Sequence, residues 1–338
     1  MANNKLGQQT FVFQSRPEIL GTGSVVGVKE GKGPLSKTFD VVLEDDMFGE
    51  KTWEMAESKM LSESINIAMR KAGKNQDQID AILSGDLLNQ LMSSNFSVKD
   101  FSVPFLGIYG ACSTMAESIL LGCVLVDGGY ADAVVAASSS HYSTAERQFR
   151  MPLEHGNQRP PSAQWTATAS GSVVIGRSQN PHFCCTYGTV GKIVDTGMTD
   201  ANQMGAAMAP AALDTIYRHL LDTGREWSYY DLILTGDLGH IGKRILIDMA
   251  KNLGIDFSPA YDDCGVLLYD EEQDVHSGGS GCGCSASVFA GHIYKSMLGG
   301  VLKKVLLVST GALLSTTSSQ QGESIPGIAH AVAIEAMQ

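Results

Sequence analysis

Proline is scarce in this chain, 10 in 338 residues, and charged side chains make up only 18%. With hydrophobic residues at 43%, a disordered or collagenous chain is excluded, and the 37 glycines suit a buried, turn-punctuated α/β protein. Basic residues are the minority, 24 against 36 acidic, which leaves a net charge of −12 and no long basic run. Nucleic acid and anionic membrane faces are therefore excluded as electrostatic partners. The seven cysteines form no CxxC pair and no His/Cys cluster with zinc spacing, so a zinc site and a disulfide framework are both excluded and a reducing compartment is expected. Apolar runs such as 119–126 fall far short of the roughly 20 residues of a membrane-spanning helix. The opening Met1 to Gln14 is polar, with no apolar signal core, and the expectation is a soluble chain. Gly31-Lys32-Gly33 lacks the Ser/Thr and the following helix of a phosphate loop.

What is present is repetition. Residues 80–87 read Asp-Ala-Ile-Leu-Ser-Gly-Asp-Leu and residues 231–238 read Asp-Leu-Ile-Leu-Thr-Gly-Asp-Leu, both patterned as strands buried on two faces. Gly-Ala-Cys112-Ser before an apolar helix, Asp-Gly-Gly, and a strand from Ala133 is answered by Gly-Cys-Gly-Cys284-Ser, a helix, Leu-Gly-Gly, and a strand from Lys304. The order is kept in both copies, which predicts two α/β halves related by a pseudo-twofold that pairs Cys112 with Cys284 and Asp86 with Asp237. The expected division is 1–178 and 183–338, with an excursion loop over 141–170 that carries Pro152, Pro160 and Pro161. Helical periodicity over 53–72 ends at Gly73.

Cys112 falls where a strand turns through Gly110 into a helix running to about Asp127. A thiol at a helix start faces unpaired N–H groups, which favours thiolate and nucleophilic chemistry; the alternative is a small buried hydrophobe, as Cys123 is read. Asp86 and Asn89 follow the first repeat strand, where ligands of α/β sheets bind, although both residue types also cap helices and tie turns. The pseudo-twofold admits only one of Asp86 and Asp237 to a functional pocket. Base candidates for Cys112 are His240, His330 and His141, although each alone is more often a satisfied structural histidine than a catalyst. Glu117 is read as paired in the core or at a domain contact, and Arg147 and Arg150 as holding an anion or the acids of a partner.

A two-half chain with such a cysteine resembles the thiolase and condensing-enzyme superfamily, which implies a five-layered αβαβα fold and a homodimer. The segments Lys-Glu-Gly-Lys-Gly-Pro-Leu (29–35), Trp-Glu-Met-Ala-Glu (53–57), Gly-Asp-Leu-Leu-Asn-Gln (85–90), Gly-Ala-Cys-Ser-Thr (110–114), Ala-Glu-Arg-Gln-Phe-Arg (145–150), Gly-Ser-Gly-Cys-Gly-Cys-Ser-Ala (279–286) and Gly-Ala-Leu-Leu-Ser (311–315) are similar to the stage V sporulation protein AD family. That resemblance implies a thiolase-like protein of spore-forming bacteria that binds dipicolinic acid. It also implies help in moving that acid into the developing spore with membrane-embedded transport proteins, at the periphery of the spore inner membrane. The chain departs from thiolases in having no Gly-His-Pro motif and no second cysteine in the C-terminal Gly327-Ile-Ala-His330-Ala segment, so thiolase turnover is not expected. His240 stands roughly where condensing enzymes keep a histidine, which keeps acyl transfer through Cys112 as one alternative and structural assembly as another. The ligand-binding set expected from this reading is Asp86, Asn89, Cys112, His141 and His330. No resident cofactor is expected. Dipicolinate is a dianion, so a carboxylate beside it, Asp86, calls for protonation or for a bridging Ca²⁺ carried with the ligand.

Overall fold

The computed structural model describes residues 4–149 and 159–337. Ten strands carry the architecture. The first half contributes β1 (Glu18–Val26), β2 (Ala81–Gly85), β3 (Phe105–Gly107), β4 (Ala133–Ser140) and β5 (Ala169–Gly176). The second contributes β6 (Phe183–Thr189), β7 (Leu232–Thr235), β8 (Tyr261–Asp263), β9 (Lys304–Ala312) and β10 (Gly327–Ala336). Their spatial order is β8-β7-β9-β10-β6-β1-β5-β4-β2-β3, in which each strand of the first half has its mate five strands later in the chain. Direction follows the same symmetry: β2 is parallel to β3 and β4 and β5 is antiparallel to β4 and β1, just as β7 is parallel to β8 and β9 and β10 is antiparallel to β9 and β6. The halves meet where Cys184 lies opposite Glu18 and where the short strand Thr10–Val12 pairs antiparallel with β6, Phe11 opposite Gly188.

Five layers follow from which helices can bury which faces. Helix α1 (Trp53–Lys71) is capped by Thr52, whose hydroxyl accepts from the Met55 N–H, and stops before Gly73 at φ 63°. Its stripe of Met60, Leu61, Ile65 and Ala68 is fully buried on the outer face of the first sheet, with α2 (Met92–Val98) beside it. Helix α3 (Thr114–Asp127) is apolar nearly all round and packs on strands of both sheets, the pattern of a central-layer helix. The short α4 (Tyr142–Phe149) follows β4. Helices α5 (Met204–Thr223) and α6 (Gly239–Asn252) cover the second sheet. Helix α7 opens as Cys282–Ser287, passes through a π-helical Val288–Ile293 and ends in Tyr294–Leu298, in the central layer beside α3.

Two expectations change. The span 141–170 is not loop throughout, since α4 and the start of β5 lie within it; the prolines aside, His141 to Phe149 has no helix breaker. Part of that span, with Pro152 and Arg150, lies outside the described residues. The second concerns the cysteine pairing. Each central helix follows a positive-φ residue, Ala111 (52°) before Cys112 and Gly281 (99°) before Cys282, so the positional mate of Cys112 is Cys282 and not Cys284.

Candidate functional site

The starts of α3 and α7 converge, and there Cys112 lines a narrow cavity of about 50 Å³. Ala111, a non-glycine residue at φ 52°, makes the turn that presents the thiol, a strained geometry of the kind held at functional sites. The turn is pinned by Ser113 Oγ donating to the Gly110 carbonyl (2.7 Å) and by Thr114 Oγ1 donating to that of Ala111 (2.7 Å). The walls are mainly apolar and come from both halves: Leu87 and Tyr109 beside β2 and β3, Ala145 and Phe149 from α4, Met204 from α5, and Leu314 after β9. Polar lining is limited to Glu146, Thr166 and Ser280 besides Cys112 itself, and among the described residues no lysine, arginine or histidine lines it.

Below the cavity lies Asp237, fully buried. Its carboxylate accepts from the Gly281 N–H (2.9 Å), Thr310 Oγ1 (2.8 Å) and Ser280 Oγ (3.3 Å). Burial pushes its carboxyl up to about 6, and these donors restrain the rise. Gln164 closes the back by donating from Nε2 to the carbonyls of Asp237 (2.6 Å) and Gly279 (2.8 Å). The Cys112 thiol is driven well above its ordinary value by burial first and then by the Asp237 charge. The expected thiolate is therefore corrected: loss of water and a nearby carboxylate charge dominate the helix start.

The symmetric aspartate has the other role. Asp86 is fully buried, and its two oxygens accept from the Leu88 N–H (2.8 Å) and the Ser94 N–H (2.7 Å), tying the turn into α2. It does not line the cavity, because both oxygens are turned into its own loop, so the ligand-facing assignment and a calcium bridge through it are withdrawn. Nearby, Glu57 accepts from Thr144 Oγ1 (2.7 Å) and Ser139 Oγ (3.1 Å), and burial with the Asp86 charge pushes it up to about 8. Asn89 is exposed and borders a separate, more open cavity of about 280 Å³ with Arg147, which is paired with Glu54.

None of the three histidines joins Cys112. His141 is buried with Nε2 donating to the Asp46 carbonyl (2.9 Å), since its Nδ1 accepts from the Ser143 N–H (3.1 Å). His330 sits in β10, where Nδ1 accepts from the Gly191 N–H (3.2 Å) and burial lowers it to about 4. His240 is exposed at the start of α6. Each is held by backbone or faces solvent, so none is placed as a base. Glu117, half-buried near Gly110, keeps one oxygen without a partner among the described residues, and burial raises it. Sequence reasoning named Asp237 only as a symmetry mate; its position after the second repeat strand was the signal that would have found it.

The family model described as stage V sporulation protein AD matches residues 7–335. The chain belongs to that family. The stage V sporulation protein AD of Bacillus subtilis (strain 168) is 47% identical over 330 residues, 97% of this chain and 97% of that protein. Among solved structures, 3-oxoacyl-[acyl-carrier-protein] synthase III from Aquifex aeolicus VF5 is similar with a TM-score of 0.58 at 15% identity, over 94% of this chain and 99% of that one. A variant of OleA from Xanthomonas campestris reaches 0.62 at 12% identity over 96% and 99%. At such identities the likeness is one of fold: the protein has the thiolase-like architecture expected of its two halves.

Proposed function

We propose that the protein binds dipicolinic acid in the Cys112 cavity and takes part in its uptake into the developing spore, as a homodimer working with membrane-embedded transport proteins at the spore inner membrane. Family membership supports the sporulation role. The observation that carries the ligand assignment is the cavity itself, whose mainly apolar walls suit an aromatic ring while the turn into α3 offers N–H groups to a carboxylate. At about 50 Å³ the cavity holds only a few waters, so the ring enters by displacing the Phe149 and Met204 side chains. Free acid is the form assigned, because the calcium expectation rested on Asp86. No helix among the described residues is long and apolar enough to cross a membrane, which leaves that step to the partners. For the dimer, the sheet-edge strand β3 exposes Leu106, with Phe96 and Tyr109 beside it, an unpaired apolar edge suited to a second copy.

Calorimetric titration with dipicolinate, with and without Ca²⁺, tests the reading. Saturable binding by wild type, lost in a cavity-filling Leu314→Trp and not enhanced by Ca²⁺, is expected; absence of binding overturns it. Acyl transfer is the second reading, favoured by the place of Cys112 in the cavity at the start of a central helix. A stable acyl adduct on Cys112 by intact mass after incubation with an acyl-CoA would support it.

A further inference from the structure

We propose that α4 sets the size of ligand the Cys112 cavity accepts, by swinging away from it into the open space behind, and that Thr144 and Arg147 are the positioning residues that hold it in place. This deepens the functional reading above and rests on it only in taking that cavity as the ligand site. At about 50 Å³ the cavity is too small for a six-membered ring, since a cavity of about 150 Å³ is what holds benzene. Its wall must therefore yield by roughly 100 Å³. The Cys112 turn is pinned by the Ser113 and Thr114 hydroxyls, so the yielding wall is sought elsewhere.

Helix α4 is the wall with space behind it. Its residues divide by helical spacing: Ala145, Glu146 and Phe149 line the Cys112 cavity, while Thr144, Arg147 and Gln148 line the outer cavity of about 280 Å³. The turn after β2 divides in the same way, with Leu87 on the inner side and Leu88 on the outer. The outer space exceeds the shortfall, and a helix moving into it displaces water and disrupts no packed core. The start of α4 is the fixed end. There the Tyr142 ring stacks on Trp165 with centroids 3.8 Å apart, and the Tyr142 N–H donates to Thr168 Oγ1 (3.1 Å). Further along, the outer face is tied to α1: Thr144 Oγ1 donates to Glu57 (2.7 Å) and Arg147 pairs with Glu54. The Arg147 side chain is 46% exposed, and an exposed ion pair contributes little, so the tie farthest from the fixed end is also weak. A swing about Tyr142 therefore carries Phe149 out of the inner cavity and Arg147 and Gln148 into the outer one.

Reaction of Cys112 with two thiol reagents of different size, iodoacetamide and the ring-bearing N-phenylmaleimide, followed by peptide mass, reads the width of the cavity without reference to the natural ligand. Met92→Trp fills the outer cavity from the start of α2 and leaves the inner lining unchanged, whereas Arg147→Gln releases the tie to α1. The rate ratio of N-phenylmaleimide to iodoacetamide should fall by about tenfold in Met92→Trp and rise by about threefold in Arg147→Gln. Dipicolinate affinity, measured by calorimetry, should move in the same two directions. Any other pattern of rates, or a dipicolinate affinity that neither variant alters, overturns the role of α4 while leaving the cavity reading intact. The expected rates without dipicolinate binding by wild type remove the ligand assignment and leave α4 in its role.

Discussion

At the residue scale the decisive influence is that of Asp237 on Cys112, two side chains 125 positions apart that each follow a strand of their own half. A buried thiol facing a carboxylate is the opposite of an activated nucleophile, since both burial and like charge oppose a second anion. Alkylation of Cys112 by iodoacetamide at pH 7.5, followed by intact mass, should therefore be roughly tenfold or more slower than that of an ordinary free thiol. Asp237→Asn should speed it by removing the charge. A fast wild-type reaction would show that the thiol is ionised after all. Asp86 and Asp237 make the same point as a pair: identical local sequence, Gly-Asp-Leu after a strand, gives a tie within its own loop in one half and a tie to the turn before α7 in the other.

At the element scale, the site depends on how closely the central helices approach the opposite sheet. The N-terminus of α7 sits on β4 and β5: Ser138 Oγ donates to the Cys282 carbonyl (3.0 Å), the Gly283 N–H donates to Ser140 Oγ (3.2 Å), and the Cys282 thiol donates to the Ser139 carbonyl (2.9 Å). That seating needs glycine at the crossing. A Cβ on Gly171 would fall 2.2 Å from the Ala286 carbonyl oxygen, and one on Gly311 would fall 2.5 Å from that of Gly110 on the turn presenting Cys112. Backbone cannot yield as a side-chain tip can, so Gly171→Ala and Gly311→Ala should each destabilise by about 1–3 kcal/mol in urea unfolding. Gly311→Ala should also weaken ligand binding, because its clash moves the Cys112 turn. Unchanged midpoints for both would mean that the layers are more loosely packed than described.

At the scale of the whole molecule, the two halves enclose several raised carboxyls. Burial lifts Glu57 to about 8, Asp263 and Glu30 to about 7 and Asp237 to about 6. A carboxyl whose folded value exceeds its unfolded one holds its proton more tightly when folded. Its stabilising contribution is complete below the unfolded value, near 4, and is lost as pH rises through the folded value. The melting temperature should accordingly fall by several degrees, about 5 °C, from pH 6 to pH 8.5. Glu57→Gln, which keeps an acceptor for Thr144 without a titrating charge, should flatten the fall. A flat wild-type profile over that range would indicate that these acids are paired with positive charge in solution.

The sequence by itself determined the halves and their elements. Alternating apolar runs, the repeated Ile-Leu-Ser/Thr-Gly-Asp-Leu segment and glycine stops located α1, α3, β2, β4 and β7 within a few residues, because those signals are local and are set by periodicity and chain stiffness. The family was legible for the same reason, in short segments spread along the chain. The site was legible only at Cys112. The Asp237 charge near it, its walls from α4 and α5, and the exclusion of His141, His240, His330, Asp86 and Asn89 were decided by tertiary structure. Local sequence states that an aspartate follows a strand. It does not state which half's central helix will lie over it, because that is fixed by the pseudo-twofold packing of two sheets around α3 and α7, an arrangement set by long-range burial and by glycine-permitted backbone contact.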